Sequence, residues 1–122
     1  MSPWIGVSGL FGALAVAFGA TAAHGLDAVL AAERVAWIET GARYAMTHAP
    51  ALLGVAWLRA VRGGRLVALA GGGFTAGAVL FSGGLWLVGL TGWTALMPVV
   101  PVGGAGYILG WLALLALALR RA

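Results

Sequence analysis

The sequence predicts an all-α integral membrane protein, with four transmembrane helices and an interfacial amphipathic segment between spans one and two. Three observations carry this. Of 122 residues, 62% are hydrophobic and 8% charged, whereas a soluble domain carries about 25% charge. There is too little polar surface to cover a water-soluble globule. The apolar residues fall into four runs, each near the roughly 20 residues that a hydrocarbon core requires. The basic residues are all Arg, giving a net charge of +4, and most lie at the ends of those runs.

One domain over residues 1–122 is expected at this length. A basic balance can signal nucleic acid, but sparse arginines at span ends explain topology first. No nucleic-acid partner is expected; the surrounding partner is membrane lipid. The chain has no Cys, which removes disulfides, thiolate catalysis and Cys metal sites.

The first span covers about 4–23 and carries no charged side chain. Its Ala20-Thr21-Ala22 resembles a signal-peptidase site. The Met-Ser-Pro-Trp start lacks Lys or Arg, however, and the apolar run exceeds a typical signal-peptide core, so a retained span is expected. The connection from His24 to Glu39 mixes Asp27, Glu33 and Arg34 with Leu26, Leu30, Val35, Trp37 and Ile38, and reads as interfacial and partly helical. Gly25 suits the end of the first helix. The second span covers about 40–60; Trp37 and Trp57, twenty residues apart, would be separated by about 30 Å, one hydrocarbon thickness. Arg59, Arg62 and Arg65 surround a tight Gly63-Gly64 turn. The third span covers about 66–90. An uncharged turn from Thr91 follows, and Pro98 and Pro101 bracket the entry to the fourth, about 99–119, which ends on Arg120-Arg121. The positive-inside rule places both termini and the central turn in the cytoplasm of a cell with an inner membrane. The run Gly9–Phe18 also lies over Gly72–Phe81 with Gly, Phe, Ala and Val coinciding, a hint of two repeated hairpins.

Small residues recur at four-residue spacing: Ser8 and Gly12, Gly73 and Gly77, Gly106 and Gly110. In lipid, such faces let helix backbones approach closely. They can pack the bundle internally or form a homo-oligomeric or membrane-complex face, and 21 glycines keep the second use open.

The chemistry concentrates at residues 39–48. At about 100° per residue, Glu39, Arg43, Thr47, Thr40, Tyr44 and His48 share one half of a helix. Glu39 and Arg43 stand in the favourable order for an i,i+4 pair, and Arg43 away from water needs such a partner. Tyr44 and His48 repeat the spacing a turn deeper. Pro50 cannot donate to the Met46 carbonyl, so a kink or irregularity is expected. This face can pin the interfacial segment to the bundle, or form a polar pocket or proton path joined by His24. Two histidines on neighbouring helices could also hold a metal or haem, although two ligands without a third argue against zinc. No nucleophile elbow, phosphate loop or carboxylate pair occurs, and neither an enzyme nor a cofactor is expected.

Ala-His-Gly-Leu at 23–26, Glu-Thr-Gly-Ala-Arg-Tyr-Ala-Met-Thr-His at 39–48, Leu-Phe-Ser-Gly at 80–83, Leu-Thr-Gly at 90–92 and Pro-Val-Gly-Gly from Pro101 carry a resemblance over nearly the whole chain. They resemble domain-of-unknown-function family 423, the YgdD-like small inner-membrane proteins with mitochondrial transmembrane relatives. The resemblance implies a four-span protein, supplies no activity, and marks His24, Gly25, Glu39, Thr40, Gly41, Arg43, Tyr44, Met46 and His48 as motif positions without roles. Where the family carries Phe-Gly before its Ala-His-Gly-Leu, this chain has Thr21-Ala22; where it carries an aromatic before the last His, this chain has Thr47. Both departures weaken the case for a tightly packed aromatic pocket.

The expectation is a non-enzymatic packing or accessory module that self-associates or joins a larger complex. The alternatives are a homo-oligomeric transporter or channel using the polar face of span two, and a haem- or metal-binding protein. A topology reporter fused after Arg121 is expected to be active in its cytoplasmic form and silent in its periplasmic form; the reverse pattern would invert the arrangement.

Overall fold

Helix α1, Pro3–Ala23, begins where its capping residues allow. The Ser2 hydroxyl accepts from the Trp4 N–H at 3.3 Å, and Pro3 fills a first-turn position where a missing N–H costs nothing. The structure, a computed structural model, describes residues 2–120; Arg121 of the C-terminal basic pair lies outside them. After α1, Gly25 adopts φ +105°, a left-handed conformation suited to glycine, and leads into a single 3-10 turn, Leu26–Ala28.

Helix α2, Ala32–Val61, has 30 residues and is about 45 Å long. It starts at Ala32 rather than near Thr40. Most of the charged half of the expected interfacial segment is therefore its first two turns. Val35 and Ile38 are buried there, and Arg34 ties this end down. Its Nε donates to the Gly89 carbonyl at 2.8 Å and its Nη2 to the Leu90 carbonyl at 2.7 Å. The helix runs unbroken through Pro50.

The third element is one 27-residue rod, Arg65–Thr91. It consists of α3 (Arg65–Ala76), a π-helical turn (Gly77–Ser82) and α4 (Gly83–Thr91). The Gly83 N–H reaches back five residues to the Ala78 carbonyl. Gly92, at φ +73°, closes α4 with its N–H on the Val88 carbonyl at 2.8 Å. Arg34 satisfies orphan carbonyls at that same helix end, where a cation also complements the helix dipole. A 3-10 turn, Thr94–Leu96, precedes α5, Val99–Leu119. Among the described residues, three helical stretches are long and apolar enough to cross a membrane: Pro3–Ala23, Arg65–Thr91 and Thr94–Leu119. The polar residues of α2 leave it outside that group.

The helices pack in series. Helix α1 lies along α2, α2 along the rod, and α5 along the rod's other side, while α2 and α5 make little direct backbone contact. The side chains of Ile38, Leu52, Val55, Val67, Phe74 and Val88 are fully buried and fill the interior. The small-residue faces are used inside the chain. A Cβ on Gly12 would lie 3.8 Å from the Ala49 Cβ, and the Ser8 hydroxyl donates to the Ala49 carbonyl at 2.7 Å. A Cβ on Gly73 would lie 2.7 Å from the Gly106 carbonyl oxygen, and one on Gly110 would lie 2.5 Å from the Phe74 ring. Gly77 faces the Tyr107 ring, and Gly103 faces the Phe81 backbone nitrogen. Equivalent positions of the repeated segments share burial: Phe11 with Phe74, and Ala15 with Ala78.

A methyl group at Gly103 would strike backbone, which cannot swing aside, whereas Gly72 meets nothing within 4 Å. Gly103→Ala is expected to destabilise the protein by about 1–3 kcal/mol, a typical overpacking cost. Gly72→Ala is expected to leave stability unchanged or slightly raised, given the helix propensity of Ala. Thermal unfolding in detergent, followed by size exclusion, measures both; equal losses would refute the seam.

Candidate functional site

His48 sits at the floor of a groove between α2 and α5, and both of its ring nitrogens are held by named partners. Helical spacing places Tyr44 one turn before it, with ring centroids 6.2 Å apart and planes 8° from parallel. On α5, Tyr107 and Trp111 are also four residues apart and face them. The His48 Nδ1 lies 2.6 Å from the Tyr44 carbonyl. A carbonyl only accepts, so Nδ1 carries the proton. The Trp111 indole Nε1–H donates to Nε2 at 2.9 Å. An indole nitrogen only donates, so Nε2 presents its lone pair. Together these contacts select the neutral Nδ1–H tautomer.

Tyr107 stacks face to face on His48, with centroids 3.7 Å apart. Its hydroxyl shares a 2.8 Å hydrogen bond with the Ser82 hydroxyl. Phe74 flanks the imidazole at 5.6 Å and meets Trp111 edge-on at 4.9 Å. Phe81 meets Tyr44 edge-on at 4.8 Å and Tyr107 at 5.7 Å. The π turn contributes directly, because one inserted residue rotates the downstream side chains by about 100° relative to a continuous α-helix. Phe81 and Ser82 end that turn.

Helices α2 and α5 make little direct backbone contact, and a groove of about 580 Å³ lies between them. It is lined by Tyr44, His48, Phe81, Pro101, Gly104, Ala105, Tyr107, Ile108 and Trp111. A smaller recess of about 170 Å³ adjoins it across the Tyr44–His48 pair, lined also by Arg43 and Thr47.

The expected polar cluster is only partly assembled. Tyr44, His48 and Arg43 gather here. Thr47 turns its hydroxyl back to the Arg43 carbonyl at 3.2 Å, and Thr40 does the same to Ala36 at 2.9 Å. Glu39 and Arg43 do not form the expected ion pair: among the described residues no carboxylate lies within 4.0 Å of a guanidinium. Both are exposed, and Glu39 lines a different recess with Ala22, Asp27 and Val35. His24 does not join His48. Helices α1 and α2 are antiparallel, with Gly12 opposite Ala49 and Gly19 opposite Ala42. This register sets His24 level with the first turns of α2, about 16 Å along the axis from His48. The histidine pair considered for metal or haem is therefore not assembled, and among the described residues no group of three His, Cys, Asp or Glu gathers. Gly41 packs on Trp86, 2.8 Å from a Cβ to Nε1, and Met46 is exposed.

The aromatic pocket is present despite Thr47, because the rod and α5 supply Phe74, Phe81, Tyr107 and Trp111 around Tyr44 and His48. Sequence patterning assigned no role to Trp111, Tyr107, Ser82 or Arg34. The available signal was a hydroxyl-bearing Ser82 and Tyr107 inside otherwise apolar spans, where polar groups seek partners.

Residues 18–104 match the family described as "Protein of unknown function (DUF423)". The chain is 37% identical over 110 residues to a UPF0382 membrane protein of Haemophilus influenzae, covering 90% of this chain and 86% of that one. It is 36% identical to UPF0382 membrane protein YwdK of Bacillus subtilis over 108 residues, covering 88% of each. With UPF0382 inner membrane protein YgdD of Escherichia coli it shares 35% identity over 109 residues, 89% of this chain and 83% of that one. No solved structure matches. The chain belongs to the DUF423 family, and its relatives are membrane proteins.

The tautomer makes a spectroscopic prediction. Nitrogen-15 NMR of His48 in lipid is expected to show a protonated Nδ1 and an unprotonated Nε2. Trp111→Phe keeps a ring but removes the donor; it is expected to shift the Nε2 resonance and lower stability by about 1 kcal/mol, in the range of polar contacts between membrane helices. A wild-type spectrum with the proton on Nε2 would contradict the assignment.

Proposed function

We propose that this DUF423 protein is a non-enzymatic, four-span accessory module of the inner membrane that acts by binding at the α2/α5 groove. The single observation behind this reading is that two neighbouring helices with little backbone contact flank an open, aromatic-floored groove. Helix α2 serves as the remaining span. Arg34 and Trp37 mark its outer end, Trp57, Arg59 and Arg62 its inner end, and both chain termini are cytoplasmic. The interfacial segment reduces to the 3-10 turn and its flanks, about residues 24–31. The site suits binding rather than reaction, because the His48 nitrogens are engaged by the Tyr44 carbonyl and the Trp111 indole, and the Tyr107 and Ser82 hydroxyls by each other. With the glycine faces used inside the chain, contact with another membrane component falls to the groove.

A second reading draws on the outward face of Arg43 and Tyr44, both exposed. The bundle interior is filled by apolar side chains, so any path for protons or a small solute would run between copies of the chain. A liposome flux abolished by Arg43→Ala would favour that reading.

A photo-crosslinking residue placed at Ile108, in the groove, is expected to capture a membrane component in cells, and one placed at Leu10, on the exposed far face of α1, is not. Capture at Leu10 alone would overturn the proposal.

A further inference from the structure

Arg43 is a guanidinium on the exposed side of α2 for which the described residues supply no counter-charge. Among the described residues no carboxylate lies within 4.0 Å of it, in contrast with Arg34, whose donors are bound to carbonyls. A charge at such a depth is costly unless paired or led to the interface. Side chains on a helix lean toward its N-terminus, so Arg43 reaches toward the outer headgroups. Its recess shares Tyr44 and His48 with the groove. A cationic recess therefore lies beside the apolar groove, with the Tyr44–His48 pair as their shared wall.

The dimensions match one leaflet. On α5 the lining runs from Pro101 at the outer end to Trp111. These residues lie about 15 Å apart along the axis, half of a hydrocarbon core about 30 Å thick. A groove one leaflet deep and largely apolar, with the Arg43 recess at its side, is complementary to a single acyl chain beneath an anionic headgroup.

We infer that the groove holds an anionic phospholipid of the outer leaflet, its phosphate on Arg43 and one acyl chain lying over the His48–Tyr107 stack. This rests on the groove being the binding surface and adds its occupant. The lipid supplies the counter-charge that the described residues lack and covers the aromatic floor. Ala105 and Ile108 form the wall along which the chain lies.

The test uses the full-length protein in nanodiscs of phosphatidylcholine containing phosphatidylglycerol, released into native mass spectrometry. The wild type is expected to retain one phosphatidylglycerol in preference to phosphatidylcholine. Arg43→Gln is expected to reduce that preference by roughly fivefold, the effect of one interfacial cation. Ala105→Trp, which fills the groove and spares Arg43, is expected to abolish retention. Arg59→Gln, at the opposite end of α2, is expected to have no effect. Equal retention of both lipids, still abolished by Ala105→Trp, would overturn the anionic occupant and leave the groove reading standing. Retention untouched by Ala105→Trp would show that the lipid sits elsewhere and overturn the inference. A cross-link from Ile108 to a protein in place of lipid would overturn it in the same way, while supporting a binding groove.

Discussion

A buried imidazole needs partners for both ring nitrogens, and this constraint organises the molecule around His48. Its own helix can satisfy one nitrogen, through the Tyr44 carbonyl a turn earlier. The other needs a donor from a different helix, and Trp111 supplies it from α5. That bond spans two helices that do not pack backbone to backbone. It therefore holds α2 and α5 in register while leaving space between them, and the space is the groove. Loss of the donor would leave a buried acceptor unpaired, the expensive outcome for a polar group away from water.

The glycine seam lets the clamp close. Helix α5 approaches the rod so nearly that Gly73 and Gly106 meet through backbone atoms, and Tyr107 lies over Gly77 where a side chain would displace it. Tyr107 can then stack on His48 and reach Ser82. The π turn adds the rotation that carries Phe81 and Ser82 to the same point. Between helices in lipid, where hydrophobic drive is weak, such close contact and a few satisfied polar groups provide the cohesion.

Two arginines of α2 show how much context decides. Arg34 and Arg43 are nine residues apart on one helix. Arg34 ends on the free carbonyls of α4 and anchors the start of α2 to the rod. Arg43 has no carboxylate partner in the described chain and borders the groove. The first is explained by the fold. The second has no such partner among the described residues, and its position beside an apolar groove is the ground for the proposed anionic lipid.

Composition and periodicity were enough to establish a helical chain of membrane type, the extent of its apolar helices and the polar face of α2, while the 39–48 run itself carried the family resemblance. These are local properties: hydropathy, spacing and capping depend on neighbours in sequence. Tertiary structure decided which polar residues meet. It left Glu39 and Arg43 apart, set His24 level with the wrong end of α2, and brought Trp111, Tyr107 and Ser82 to His48. The reason is register. The depth at which one helix meets another is set by where glycines permit close approach and by a single inserted residue in the rod. Neither can be converted into a contact until the helices are placed together.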